Sequence, residues 1–575
     1  MTAFVAMALL LGASVPVLAQ APQLQVQEAD GSQLPDVRTS LNDFLWSSEG
    51  GLLKSIYVHF VPLQSFIFPS PWPAQELIPG TTVETTEDGE LTRSFDASTR
   101  FPFELTLDGE STAGLAHRLE TDRSGEATLI TFTAERDGLR ITKAFRLTNN
   151  PQYRFHTTLE LTNTTDRPIE LQDGLRLMLG AGVGDDPDLD EQTHFLIDGE
   201  IQNEAGSEAI EGLGFEGQAL TFFLTGFDPS DGWQAVEDSG TLQAQLPALT
   251  LASGESRSFE WKAIAGRTKH MLLREEGLED LAPPGFFGQF VVYVSDMLSW
   301  FFSWTGNYGW AIILFTLVTR IVLFPLMRKQ FHSMSAMAEL RPQMEKLQQR
   351  YPTRKKLQEL HPNMNQQELM KRDRENRQQL QQKMMELYRE EGVNPLSGCL
   401  PMLVQFPILI LLYRAIIENA EAIHLSPGFL WMPDLATQDP TWIIMILTVG
   451  TLFLQSKTNP MQSSSPQSAS QQNTMMIFMG GFMLVALHNF PAGLWLYYFL
   501  TNVVQVSQQL FVKWEINQHK ARKAAMATAD ASAESEAAAS ETAIDPERLD
   551  QTPEMPDPPH PEDPDGDDAE SERRS

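Results

Sequence analysis

Residues Asn307–Met327 read NYGWAIILFTLVTRIVLFPLM, an apolar stretch in which Arg320 is the one charged residue. A helix rises about 1.5 Å per residue, so this run reaches about 30 Å, the depth of a bilayer's hydrocarbon core. Trp310 stands near one end and Arg328-Lys329 just past the other, the flanks a membrane span carries. Working outward, further apolar runs place spans at about 397–417, 441–456, 474–489 and 493–513, with Asn489-Phe490-Pro491-Ala492-Gly493 as a tight turn between the last two. The reading is a membrane domain, 305–513, with five core spans.

Loop charge orients it. The loop 328–395 holds 14 Lys/Arg, whereas 418–440 holds none. Basic loops stay on the cytoplasmic side. The loop 328–395 and the C-terminus are therefore expected in the cytoplasm, and whatever precedes the first span outside. Within that loop Phe331, Met334, Met337, Leu340, Met344 and Leu347 recur every three or four residues, and Lys371 to Glu391 is helical again, with Leu380, Met384, Leu387 and Tyr388 on one side. Two amphipathic helices suggest a helical hairpin. Its methionines Met334, Met337, Met344 and Met384 either contact varied apolar partners or glue the two helices together.

Before the spans the pattern changes. Residues 1–20 are a short apolar run ending in Ala19-Gln20-Ala21, a cleaved signal peptide or a signal-anchor helix, and 21–40 reads as a linker. From 41 to 270 alternation replaces helical periodicity. Asp137-Gly138 between Ala127–Phe132 and Leu139–Leu147 is a hairpin signal, and Tyr153, Phe155, Thr157, Leu159 and Leu161 alternate. Many short strands predict an exported β-sandwich. Residues 281–304 read as an amphipathic interfacial helix, with Phe290, Val294, Met297, Leu298 and Phe301 on one face. Residues 524–575, rich in Ala, Ser, Pro, Asp and Glu, read as a disordered acidic tail.

The chain's 575 residues carry 42 Lys/Arg and 75 Asp/Glu, a net charge of −33. The charge is segregated: 18 against 44 in 1–280, 21 against 15 in 281–523, and 3 against 16 in the tail. Only the membrane part is basic, and the tail should not bind nucleic acid. A single cysteine, Cys399, excludes a disulfide scaffold and multi-cysteine metal sites. The acidic run Asp185-Asp186-Pro187-Asp188-Leu189-Asp190-Glu191 lacks the spaced oxygens and turn glycine of a calcium loop and reads as a solvated loop. No catalytic set, cofactor or metal is expected, and the chain reads as a non-enzyme.

Arg320 carries the chemistry. An arginine within a span costs at least ~3 kcal/mol unless it reaches water or a partner. It either snorkels toward Arg328 or lines a wetted cavity. Thr316, Thr319, Gln405, Asn502, Gln505 and Gln508 supply neutral polar groups in the same membrane domain, and no carboxylate does so, which favours the cavity.

These residues resemble the YidC/Oxa/Alb membrane protein insertase family. The resemblance runs through Asn307-Tyr308-Gly309-Trp310, Thr319-Arg320-Ile321-Val322-Leu323-Phe324-Pro325-Leu326, Met384-Met385-Glu386-Leu387-Tyr388, Gly392-Val393-Asn394-Pro395-Leu396 and Phe490-Pro491-Ala492-Gly493-Leu494-Trp495. More loosely, 41–270 resembles the periplasmic β-supersandwich of the family's Gram-negative members. The resemblance implies an inner-membrane insertase and chaperone for nascent membrane proteins. These would enter a hydrophilic groove open to cytoplasm and lipid, with Arg320 as the groove arginine. It implies work alone or with the Sec translocon, and transient contact with ribosome–nascent chain complexes. Two rivals from other classes are a transporter or channel with an intramembrane arginine, which predicts inverted repeats that the five spans lack, and a membrane-anchored carbohydrate-binding protein.

Overall fold

The computed structural model describes residues 25–28, 35–60, 74–85, 91–123, 127–148, 153–184, 192–204, 206–217, 219–392, 400–458, 474, 477–478, 480–482, 484–485 and 487–541. The segment 1–20, the run Asp185–Glu191, Cys399, much of the fourth expected span and the tail beyond Glu541 lie outside them.

The first half is a β-sandwich region. A nine-stranded antiparallel sheet runs in the order Arg118–Asp122, Ala127–Arg136, Leu139–Thr148, Arg154–Asn163, Ser256–Arg267, Leu220–Thr225, Gly212–Glu216, Gln192–Ile197, Glu200–Gln202. The Asp137-Gly138 pair turns the first long hairpin with positive φ at both positions (52° and 78°), the two-residue geometry that matches strand twist. Phe155, Thr157, Leu159 and Leu161 all face inward, as their alternation predicts. A five-stranded sheet built on Leu175–Gly180 and Thr241–Leu246, and another built on Asn42–Ser47 and Leu52–Val58, complete the sandwich region. Aromatic rings fill its core: Phe103 packs edge-on against Phe145 at 5.0 Å, and Phe44 stacks on Trp46 at 5.5 Å. Part of the expected linker is β structure, since Gln25–Glu28 pairs with Pro35–Arg38 and the latter with Asn42–Ser47. Val37, wholly buried, gives that extra strand its apolar anchor.

The second half is helical. After α1 (His270–Arg274) come α2 (Gly285–Thr305), α3 (Tyr308–Glu339), α4 (Arg341–Arg350), α5 (Arg354–Leu360), α6 (Gln366–Glu390), α7 (Leu400–Glu418), α8 (Ala420–His424), α9 (Ile443–Thr458) and α10 (Ala492–Glu541). Among the described residues α3 alone is long and apolar enough to cross a membrane by itself, and Ile443–Gln455 is a shorter apolar helix. The described residues up to Leu510 form one compact unit, and those from Phe511 to Glu541 belong to a second.

In the hairpin region α3 continues to Glu339, and Pro342, in a helix's first turn where its missing N–H costs nothing, starts α4 there. Pro352 separates α4 from α5. In α2, Leu298 and Phe301 are buried against the protein, and Ser295 on the same side accepts a hydrogen bond from Asn419 Nδ2 (2.8 Å). Phe286, Phe287, Phe290, Tyr293, Trp300 and Trp304 are exposed. Finally, 524–541 is helical, as the end of α10. Alanine is the best helix former, and in this stretch its propensity outweighs the acidic composition.

The β region and the helices meet in a dry polar contact. The side chains of Lys269 and Glu421 are wholly buried, and Lys269 Nζ donates to both Glu421 carboxylate oxygens at 2.7 Å and to the Ile417 carbonyl at 2.9 Å. Tyr153 Oη donates to Glu421 Oε1 at 3.2 Å. Gly266 makes room for this, because a Cβ there would lie 2.1 Å from Tyr153 Cγ.

Candidate functional site

Arg320 lies twelve residues past Tyr308, about 18 Å along α3. It is 4% exposed. Its Nη2 donates to Gln405 Oε1 at 2.7 Å, and Gln405 Nε2 donates in turn to Tyr497 Oη at 2.7 Å. Three helices, α3, α7 and α10, are thus tied by one chain of hydrogen bonds. Gln508 Nε2 donates to the Arg320 carbonyl at 3.3 Å. Among the described residues the guanidinium has no carboxylate partner; a neutral amide oxygen and the rings of Tyr497 and Tyr498 surround it.

Beside it lies a cavity of about 290 Å³. Arg320, Gln405, Asn502 and Gln505 line it, with Leu323, Met327, Phe406 and Leu409 as an apolar wall. Four of the residues expected from sequence therefore converge. Thr316 and Thr319 do not join them. Their hydroxyls donate back to the helix, Thr316 to Ile312 O at 2.7 Å and Thr319 to Phe315 O at 3.0 Å. Gln508 braces the Arg320 backbone. The reading missed Gln455, Tyr498 and Thr501 in the lining and Tyr497 behind it. A signal existed, since Tyr498, Thr501, Asn502 and Gln505 recur at helical spacing on α10.

The cavity is a mixed surface. One buried cation and several amides can hold a polar or acidic group, while the apolar wall accepts hydrophobic side chains. It has neither a nucleophile–base pair nor, among the described residues, three side chains placed to hold a metal.

The family model described as 60Kd inner membrane protein matches residues 300–356 and 352–520. A membrane protein insertase YidC from Bordetella petrii is 30% identical over 428 residues, covering 70% of this chain and 69% of that protein. The chain belongs to the YidC membrane protein insertase family. A second YidC, from Geobacter sulfurreducens, is 31% identical over 328 residues, 56% of each chain. The solved structure described as an active YidC insertase with the first transmembrane domain resolved aligns with a TM-score of 0.47 at 21% identity, covering 88% of this chain and 99% of that one.

Of the two readings of the YidC hairpin methionines, partner contact or glue between the helices, this arrangement matches the second. Met334 and Met337 are buried, and Met344 and Met384 pack on a cluster of Met337, Leu340 and Tyr388. Tyr388 Oη points to Met344 Sδ at 3.4 Å. In this arrangement they hold α3, α4 and α6 together, and the exposed hairpin methionines are Met370 and Met385.

Proposed function

We propose that this insertase acts through the Arg320 cavity, inserting nascent integral membrane proteins into the inner membrane. Five spans carry the cavity, the hairpin and C-terminus face the cytoplasm, and the β region is periplasmic. The observation that supports the mechanism is a buried cation with no carboxylate partner among the described residues, beside a cavity lined by amides and apolar side chains. A carboxylate crossing the membrane alone costs roughly 3 kcal/mol at mid-depth, and so does an arginine. Bringing the two together in a low-dielectric groove offsets both costs. The client's polar segment is drawn in from the cytoplasm, and its apolar segment partitions past the Leu323 and Met327 wall into lipid. No bond is made or broken. Nascent membrane proteins and the bilayer are the primary partners, with ribosome–nascent chain complexes and the Sec translocon as transient ones.

The test is insertion of a client with an acidic translocated tail into proteoliposomes. Arg320→Ala should lower its yield at least ~10-fold, which corresponds to about 1.4 kcal/mol of lost stabilisation. Arg320→Lys should retain more activity, because it keeps the charge. Wild-type insertion by Arg320→Glu would sink the mechanism.

A further inference from the structure

The buried cation of the groove is already occupied. Gln405 Oε1 accepts from Arg320 Nη2 at 2.7 Å, and both residues line the cavity. Nη2 belongs to both edges through which a guanidinium can give a carboxylate two parallel bonds, so the amide oxygen holds one of those edges. Arg320 is buried, whereas Gln405 is only half-buried and meets the cavity directly. The helix that carries the amide is softened beside it. Pro407, two residues on, has no N–H to give the Leu403 carbonyl, so α7 lacks one of its own bonds in the turn that holds Gln405. The far end of α7 is pinned, because Lys269 Nζ donates to Ile417 O at 2.9 Å and Asn419 Nδ2, just past the helix, donates to Ser295 Oγ at 2.8 Å. A shift of α7 is therefore easier at the Gln405 end.

We propose that Gln405 is a specificity-determining latch: its amide oxygen holds Arg320 in the resting groove, and a carboxylate of the client's polar segment takes its place. This inference rests on the insertase mechanism above. A carboxylate brings a full negative charge and a second parallel bond, so it displaces an amide oxygen from a guanidinium. A hydroxyl or amide on a neutral segment offers Arg320 only what Gln405 already gives, and the exchange gains nothing. The latch thus sets a threshold. Acidic segments engage the cation, and neutral ones pass without it, which is selection by a competing internal group. Once displaced, Gln405 can keep its Nε2 bond to Tyr497 Oη, 2.7 Å in the resting groove, and stay in the wall.

The experiment uses the full chain in proteoliposomes with two clients, one with an acidic translocated tail and one with a neutral Ser/Gly/Asn tail. Gln405→Leu removes the latch at similar volume, and Gln405→Glu replaces it with a carboxylate that the client must outcompete. Gln405→Leu should insert the acidic client at least as well as wild type and raise the neutral client about three- to ten-fold, the worth of one hydrogen bond no longer in competition. Gln405→Glu should lower the acidic client at least ~10-fold, because a charged pair now holds Arg320. A residue that merely braced Arg320, or that bonded the client, gives the reverse order, with loss in Gln405→Leu and near-native insertion in Gln405→Glu. Loss of the acidic client in a folded Gln405→Leu chain, or wild-type insertion of it by Gln405→Glu, therefore overturns the proposal. Thermal melting checks folding, and if Gln405→Leu does not fold, Gln405→Glu decides alone. Arg320→Ala runs alongside. If it inserts the acidic client normally, the groove mechanism fails and the latch with it; if it is defective while either overturning result appears, the latch alone fails.

Discussion

Replacing Lys269 with methionine should loosen the junction between the β region and the membrane helices. Both side chains of the Lys269–Glu421 pair are 0% exposed, and the ammonium bridges both carboxylate oxygens at 2.7 Å. Burial pushes the Lys269 ammonium down from its ordinary value, and the neighbouring Glu421 carboxylate opposes that shift. Burial and the same carboxylate push the Tyr153 hydroxyl well up, so it remains a proton donor. Lys269→Met removes the ammonium that meets both Glu421 oxygens and leaves that carboxylate in a dry site with the neutral Tyr153 donor and the buried Arg267 close to Tyr153. Breaking a buried pair from one side costs about 3–5 kcal/mol, roughly 150- to 5,000-fold in the opening equilibrium. Replacing both partners, Lys269→Met with Glu421→Leu, leaves no orphaned charge and should return to within about 1 kcal/mol of the native chain. The assay is native-state hydrogen exchange at the amides of α8, where Ile423 N donates to Asn419 O and Leu425 N to Glu421 O. A single variant within 1 kcal/mol of wild type, or a double variant as damaged as the single, would refute the assignment of a charge lock.

Further outcomes follow from the β region. Lys143 is fully buried and donates to Gly50 O at 2.6 Å and Phe103 O at 2.7 Å, and burial pushes its ammonium down from 10.5 to about 7, with Glu104 opposing. Between those values the unfolded chain holds more protons, so this group makes stability rise from pH 7 to 10.5 and fall as pH drops toward 7. Lys143→Met should flatten that rise in exchange protection of Leu139–Thr148, and an unchanged slope would refute the argument. Gly266→Ala forces a Cβ within 2.1 Å of Tyr153 Cγ, and should cost about 1–3 kcal/mol and pull Tyr153 from Glu421, read by thermal melting and by α8 exchange.

Much of this was legible because local chemistry left local marks. Asp137-Gly138 announced its hairpin, since those residue types tolerate positive φ. Arg320, Gln405, Asn502 and Gln505 stood out as polar residues within apolar runs. What was not legible depended on distance or on facing. Lys269 and Glu421 lie 152 positions apart, and no periodicity couples them. Lys143 belongs to an alternating strand, and only the packing of Gly50 and Phe103 around it reveals a buried cation. The methionine stripe on α3 was visible, but a stripe does not say whether a client or α6 covers it. In the tail, composition argued for disorder while alanine propensity argued for helix, and over 524–541 the helix prevails.

The groove mechanism is tested most directly by photo-crosslinking from α3 to a ribosome-stalled client in native membranes. Leu323 lines the cavity, whereas Ile321 and Val322, 72% and 70% exposed, face away from the protein interior. A crosslinker at Leu323 should capture the polar translocated segment, and crosslinkers at Ile321 and Val322 should capture lipid or the client's apolar segment alone. Absence of client crosslinks from Leu323 in a correctly folded chain, or equal capture of the polar segment from Ile321, would contradict it.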